Sequence, residues 1–298
     1  MAADPLVIYL HGVGGPRPGW AEHLLADIAE QPDLPVGIRV IAPRYTTELS
    51  PEQGETRSAT TRRRSPQLSS PESLRAYRER QQLLADRIEQ CTDVVPSGMA
   101  WPAILPRPSR FPILDLLESP ARFIAGLDQA RNYLREPQVR RAVLDSVHDT
   151  VDQPLARSAG PTVVIGHSLG AVIAIDLLRE LDADIALLVT LGAPLGHADI
   201  AERLLEDDLD VSRLGGWLNV VHLLDPVPLG RGAAGLFPAA VDAFLPVLSG
   251  GNGLGGLARG LGRAATAHLD STYLSSEVVR TVVVETLTAP VPTDWVAG

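Results

Sequence analysis

Lysine is absent from this chain of 298 residues, so all 26 basic side chains are arginine. Together with abundant alanine, glycine and proline, that pattern reads as the codon bias of a GC-rich genome and says little about chemistry. Cysteine is almost absent too. Cys91 stands alone, which excludes an intrachain disulfide and any metal site built from several thiolates; a buried, inert thiol is its expected state. No apolar run approaches the roughly 18 residues that a membrane span requires. The opening residues, MAADPLVIYLHG, carry no basic cluster and an apolar run too short for a secretory signal. A cytoplasmic protein is the expectation, although a chain trimmed of a leader would read the same. Positive charge is also in deficit, giving a formal net charge of -10. That balance disfavours duplex nucleic acid as the main partner, because neutralising phosphates needs a basic surface.

What the chain does have is apolar residues, 45% of the total, enough for a large core in a single domain spanning 1–298. Short runs rich in Val, Ile and Leu, each followed by a turn, predict strands buried on both faces of a parallel sheet: Leu6 to Leu10, Val36 to Ala42, Thr162 to Ile165, Ile185 to Leu191 and Leu218 to Leu224. AVIAIDLLREL, between Gly170 and Leu181, has helical spacing directly after a strand, and this succession predicts a doubly wound α/β domain.

Residues 46–158 interrupt the strand order and read as an insertion. Its start is polar, carries Arg62, Arg63 and Arg64, and is expected to be a mobile loop with a solvated basic face. Ser70 and Pro71 then make an N-cap and first-turn pair, with Leu74, Tyr77, Leu84 and Ile88 on one face. Ser119 and Pro120 repeat the signal ahead of Phe123, Ile124, Leu127 and Leu134, and a weaker third helix covers Val139 to Val147. Pro96, Pro102, Pro106, Pro108 and Pro112, with Trp101, keep the stretch between the first two irregular. The insertion is expected to form a helical cap over the carboxyl edge of the sheet. Leu229 to Gly262 holds ten of the 26 glycines and reads as a loop. Near the end, Val278, Val279, Val282, Val283 and Leu287 favour a strand by type and a helix by spacing; the spacing is followed.

Chemistry concentrates in GHSLG. Gly166, Ser168 and Gly170 fit G-x-S-x-G between a predicted strand and a predicted helix, the context of a nucleophile elbow, in which a sharp turn lifts the serine above the sheet and leaves no room for bulk at its flanks. His167 completes the turn. A serine hydroxyl needs a general base and a group to orient that base, and in this architecture the acid and then the histidine follow the serine in the chain. Asp225, in DPVP at the end of an apolar run, is the candidate acid. Asp182 and Asp184 fall at the opposite end of the sheet, and Asp199 stays an alternative. Among the seven histidines, His11 and His167 belong to glycine motifs, His23 to the first helix, His148 to the insertion and His222 to a strand, and His197 precedes the acid. Only His268, in AHLDSTYL, follows Asp225, and it is the candidate base. Two N–H donors must face the developing oxyanion. Leu169 supplies one by position. The other is expected from LHGVGG, at Val13 or, second, at Gly14, with His11 and Gly12 holding that loop.

Taken together, LHGVGG, GHSLG, DPVP and AHLDSTY resemble the α/β-hydrolase superfamily in its lipase and esterase branches. The aspartate of DPVP looks like the acid motif of class 3 lipases, and a histidine followed by a tyrosine is similar to the arrangement in those lipases and in cutinases. The likeness covers both ends of the chain and stops at the insertion. Cutinases are also secreted and disulfide-bonded, which a lone cysteine contradicts. The resemblance implies an α/β-hydrolase fold, with a mostly parallel doubly wound sheet and a helical cap insertion. It further implies a serine hydrolase acting on a small-molecule or lipid-like ester without metal or organic cofactor. An acyltransferase or thioesterase would keep the same three residues, and a binding or regulatory protein of the same fold would keep only the architecture. The apolar stripes of the insertion and Trp101 point to an acyl group of some size.

Overall fold

The computed structural model describes residues 4–13, 37–49, 70–95, 120–206, 209–246 and 267–288, and for 120–127, 198 and 199 the backbone only. Six strands form one sheet: β1 (Leu6–Leu10), β2 (Arg39–Ile41), β3 (Thr162–His167), β4 (Leu187–Leu191), β5 (Trp217–His222) and β6 (Val241–Leu245). Their spatial order is β2-β1-β3-β4-β5-β6, and every neighbouring pair is parallel. The chain therefore lays β2 on one side of β1 and then reverses to build outward from β3 on the other. This is a doubly wound sheet of the α/β-hydrolase type, and in such sheets the strand ends at the reversal, here β1 and β3, frame the binding crevice.

Both faces of the sheet are covered, which is why its strands are continuous apolar runs. The alternation of side chains along each strand divides them. Leu6, Ile8 and Leu10 of β1 and Val164 of β3 face a core layer shared with α3 (Pro137–Arg157) and α4 (Leu169–Glu180). Val7, Tyr9, Val163 and Ile165 face the opposite layer, where Val278, Val279, Val282 and Val283 of α7 (Glu277–Thr288) pack. Fully burying one such aliphatic side chain contributes about 1.5–3 kcal/mol.

Several expectations are refined. The second strand is short, Arg39–Ile41, where the residue types suggested Val36 to Ala42. The glycine-rich stretch is not wholly irregular, because β6 lies inside it. Its glycines crowd elsewhere, and Val241–Leu245 has none, so an edge strand burying Ala243 and Leu245 forms there. The final segment is helical, as its spacing predicts.

Within 46–158, α1 (Pro71–Glu89) begins at Ser70, whose Oγ accepts the Ser73 N–H at 3.1 Å. Tyr77 and Ile88 are buried, but Leu74 is exposed, since the helix reaches the core only from Tyr77 onward. α2 (Pro120–Arg135) follows, and α5 (Ala198–Leu205) lies further on, between β4 and β5. The third helix, α3, is longer than expected: Val143, Leu144, Val147 and Val151 keep helical spacing, and Pro154 falls in the last turn, where one missing N–H matters least. Thus α3 lies beside α4 and β1, and α1 beside α7 and β6. Arg62, Arg63 and Arg64, the proline-rich stretch with Trp101, Ser119, and the side chains of Phe123, Ile124 and Leu127 lie outside the described residues. No helix among the described residues is long and apolar enough to cross a membrane.

A polar bridge ties α3 to α4. His148 contacts Asp152 through Nδ1 at 2.8 Å and Glu180 through Nε2 at 3.2 Å, and Arg141 bonds both oxygens of Glu180 at 2.9 Å. Burial works against charge on His148, but hydrogen bonds to Glu180 and Asp152 outweigh it and raise its pKa. A histidine raised in the folded state stabilises it fully below its ordinary value of about 6.5, and that stabilisation is lost as pH rises through the raised value. We therefore expect the Tm advantage of wild type over His148→Gln to be larger at pH 5.5 than at pH 8.5. Thermal melts giving a constant difference across that range would contradict the assignment.

Candidate active site

The turn between β3 and α4 is closely packed. Ser168 occupies φ 55, ψ -121, a region that side chains rarely adopt. It is held there from both sides: its N–H donates to the Leu191 carbonyl at 2.9 Å, and its own carbonyl accepts the Ala171 N–H at 3.1 Å. The flanking glycines make the turn sterically possible. A Cβ at position 170 would lie 2.0 Å from the Leu10 carbonyl oxygen, and one at 166 would lie 2.6 Å from the Ala171 Cα. The strain and the close contact are coupled, because α4 can start directly over the end of β1 only with no side chain at 170.

Above this turn, three elements converge on Ser168. Its Oγ lies 2.9 Å from His268 Nε2, and His268 Nδ1–H donates to Asp225 Oδ2 at 2.8 Å. His268 comes from the segment entering α6 (Asp270–Leu274), and Asp225 from the turn after β5. The geometry fixes the imidazole tautomer, with the proton on Nδ1 and the lone pair of Nε2 facing the serine. Asp225 is buried, 2% exposed, and a carboxylate without water must find its donors inside the protein. Val227 N–H donates to Oδ1 at 2.8 Å, and the Tyr273 hydroxyl donates to Oδ2, the same oxygen that His268 uses.

The third element is the loop after β1. A Cβ on Gly12 would come within 3.0 Å of Ser168 Cβ, so this backbone passes directly beside the serine. His11 stacks on Tyr45 with ring centroids 4.1 Å apart, its Nδ1–H donates to the Gly12 carbonyl at 2.6 Å, and the Tyr45 hydroxyl donates to the His11 carbonyl. Burial pushes the His11 pKa down. These contacts bind the loop to itself and to Tyr45. Val13 follows, partly buried; Gly14 lies outside the described residues. Leu169 is the first residue of α4, a position whose N–H has no intrahelical acceptor.

Two residues at this site have roles that the sequence did not assign. Tyr273 was visible as a tyrosine after the histidine, but nothing in residue type said that its hydroxyl would reach Asp225. Gly192, at φ 54, sits where a Cβ would be 2.7 Å from Asp225 Oδ2 and 2.9 Å from the Tyr273 hydroxyl. No motif marks it. The remaining candidates are occupied elsewhere. His197 donates to the Val227 carbonyl, His222 Nδ1 accepts the Leu224 N–H, and His148 lies in the α3–α4 bridge. Asp182 and Asp184 pair with Arg213. His23 and the Asp199 side chain lie outside the described residues. Among the described residues, no cluster of three or more His, Cys, Asp or Glu is arranged to hold a metal ion.

No protein-family model matches this chain, and no curated protein matches it. Among solved structures it is similar to an IroE-like serine hydrolase from Shewanella oneidensis, with 14% sequence identity, coverage of 88% of this chain and 69% of that one, and a TM-score of 0.36. So loose a superposition assigns neither family nor activity, and the reading of the site rests on its own geometry.

Gly170→Ala is expected to destabilise the protein by roughly 1–3 kcal/mol through overpacking against β1, read as a lower denaturant midpoint. A wild-type midpoint would mean that the contact with Leu10 is not as tight as described.

Proposed function

We propose that this protein is a serine hydrolase of carboxylic esters, with Ser168 as nucleophile, His268 as general base and Asp225 as the orienting acid. The observation that carries the reading is the unbroken hydrogen-bond line from Ser168 Oγ through His268 to a buried Asp225, with spacings of 2.9 and 2.8 Å. A hydroxyl in such a line can lose its proton to Nε2 as it attacks a carbonyl carbon.

Ser168 Oγ bonds to the carbonyl carbon while its proton passes to His268 Nε2. The carbonyl oxygen gains negative charge and is received by the N–H groups of Leu169, next to the positive end of the α4 dipole, and Val13. As the tetrahedral intermediate collapses, the imidazolium returns its proton to the departing alkoxide and the acyl group stays on Ser168. Water, deprotonated by the same Nε2, then attacks the ester carbon, and collapse releases the carboxylic acid and regenerates the hydroxyl. Asp225 fixes the tautomer and stabilises the transient imidazolium. Tyr273 disperses part of the carboxylate charge and holds Oδ2 in line.

In this proposal the chain is one domain, with 46–158 inserted between the second and third strands and contributing α1 and α3 to the layers around the sheet. An ester is favoured over an amide because an alkoxide leaves more readily than an amine. Transfer to an acceptor other than water uses the same three residues, and a thiol or alcohol offered to the acyl-enzyme reveals it as a non-acid product.

A fluorophosphonate probe should label wild type and fail to label Ser168→Ala; an unlabelled wild type refutes the proposal. With p-nitrophenyl esters of graded chain length, His268→Ala is expected to lose turnover and Asp225→Asn to fall by about 10⁴-fold in kcat. Tyr273→Phe should lower kcat by roughly 10-fold, in keeping with the loss of one hydrogen bond to a charged group, with KM little changed. Unaltered kcat in that variant would remove Tyr273 from the mechanism.

A further inference from the structure

The three residues of the proposed site differ in how their backbones are anchored. Ser168 follows the last residue of β3 and bonds Leu191. Asp225 follows β5 and is surrounded by donors. His268 belongs to no strand and precedes α6, and its side chain is 26% exposed. Its position must be set by contacts with elements that are themselves fixed. One such contact is made by the residue that immediately precedes the nucleophile. His167 Nε2–H donates to the carbonyl oxygen of His268 at 3.0 Å.

The alternation along β3 explains how His167 reaches there. Val163 and Ile165 point to the layer that contains Tyr273 and α7, and His167, two residues further on, emerges on the same face. Its ring lies 4.9 Å from that of His268 and 6.0 Å from that of Tyr273. Its backbone is locked in the β3–β4 ladder opposite Leu191. The other edge of the ring faces the loop after β1, with Nδ1 3.3 Å from the point where a Gly12 Cβ would lie. One buried imidazole thus touches the elbow, the segment bearing His268 and the loop beside Ser168.

We propose that His167 is a positioning residue: its Nε2–H clamps the His268 carbonyl to the end of β3 and thereby keeps the His268 imidazole in line with Ser168 Oγ. The inference rests on the acyl-transfer reading above. It explains why a polar, ring-shaped side chain is buried at a position of the elbow where the turn itself requires only a residue that fits. It also requires His167 to stay neutral while its neighbour gains a proton during turnover. Burial first, and then the charge on His268, push the His167 pKa down to about 4, while Asp270, Asp225 and the bond to the His268 carbonyl work the other way.

Steady-state kinetics on a p-nitrophenyl ester test this with three variants. His167→Phe keeps the volume and removes the donor; His167→Gln places an amide nitrogen near the position of Nε2; His167→Asn places one near Nδ1 and short of the carbonyl. The clamp predicts that Phe lowers kcat by roughly 10- to 100-fold at unchanged KM, as expected for a misaligned base, and that Gln recovers most of the loss while Asn does not. A purely structural role predicts instead that kcat follows the thermal stability of the three variants. Wild-type kcat in His167→Phe, or Gln no better than Asn, overturns the clamp. If His167→Phe does not fold, the Gln and Asn pair decides on the same criterion. A wild type that the fluorophosphonate probe fails to label overturns the catalytic reading and the clamp together. Labelled wild type with an unaffected Phe variant overturns the clamp alone.

Discussion

The strained backbone at Ser168 is the constraint on which the rest of this structure depends. A residue at φ 55 and ψ -121 persists only where its surroundings over-determine it, since such conformations cost of order 1–3 kcal/mol. Here the surroundings are backbone: the carbonyl of Leu191 on one side, the first turn of α4 on the other, and the end of β1 beneath Gly170. Because β1 and β3 are neighbours at the point where the winding direction reverses, both of their carboxyl-end loops open into the same crevice. The serine and the loop beside it are thus brought together by strand order, before any side chain acts.

Burial of Asp225 is the second determinant. A carboxylate in an apolar layer is unfavourable unless several donors surround it, and this one has Val227 N–H on one oxygen and both His268 and Tyr273 on the other. The same donors that make its burial tolerable hold it in line with His268. Gly192 completes the arrangement by leaving room for the Asp225 and Tyr273 oxygens to meet. Fold stability and site geometry are satisfied here by one set of contacts.

The far side of the sheet is secured in a similar way. Trp217 Nε1–H donates to Thr190 Oγ1 at 2.9 Å, Thr190 to Asn219 Oδ1 at 2.8 Å, and Asn219 Nδ2 to Asp242 Oδ1 at 2.7 Å. Asp242 in turn accepts the N–H groups of Ala233 and Ala234. This chain runs across β4, β5 and β6 and ends on the connection between β5 and β6, the connection that also carries Asp225. Such a network, fully partnered, rigidifies a sheet edge.

By itself the sequence determined what depends on local pattern. Both-face burial made β1, β3, β4 and β5 legible as apolar runs, helical spacing marked α4 and α7, and Ser70 with Pro71 marked the start of α1. Chain order singled out His268 as the candidate base, because no other histidine follows Asp225, and the place of Asp225 at the end of an apolar run set it apart from the other aspartates. Local pattern could not reveal β6, a half-covered edge strand inside a glycine-rich stretch, nor the full length of α3, whose last turn contains a proline. Only the tertiary structure decided that Tyr273 meets Asp225, that Gly192 must be bare, that His167 reaches the backbone of His268, and that α1 and α3 join the layers of the sheet. Each of these is a contact between residues far apart in the chain, and a residue's type and spacing carry no record of the neighbour that folding will bring to it.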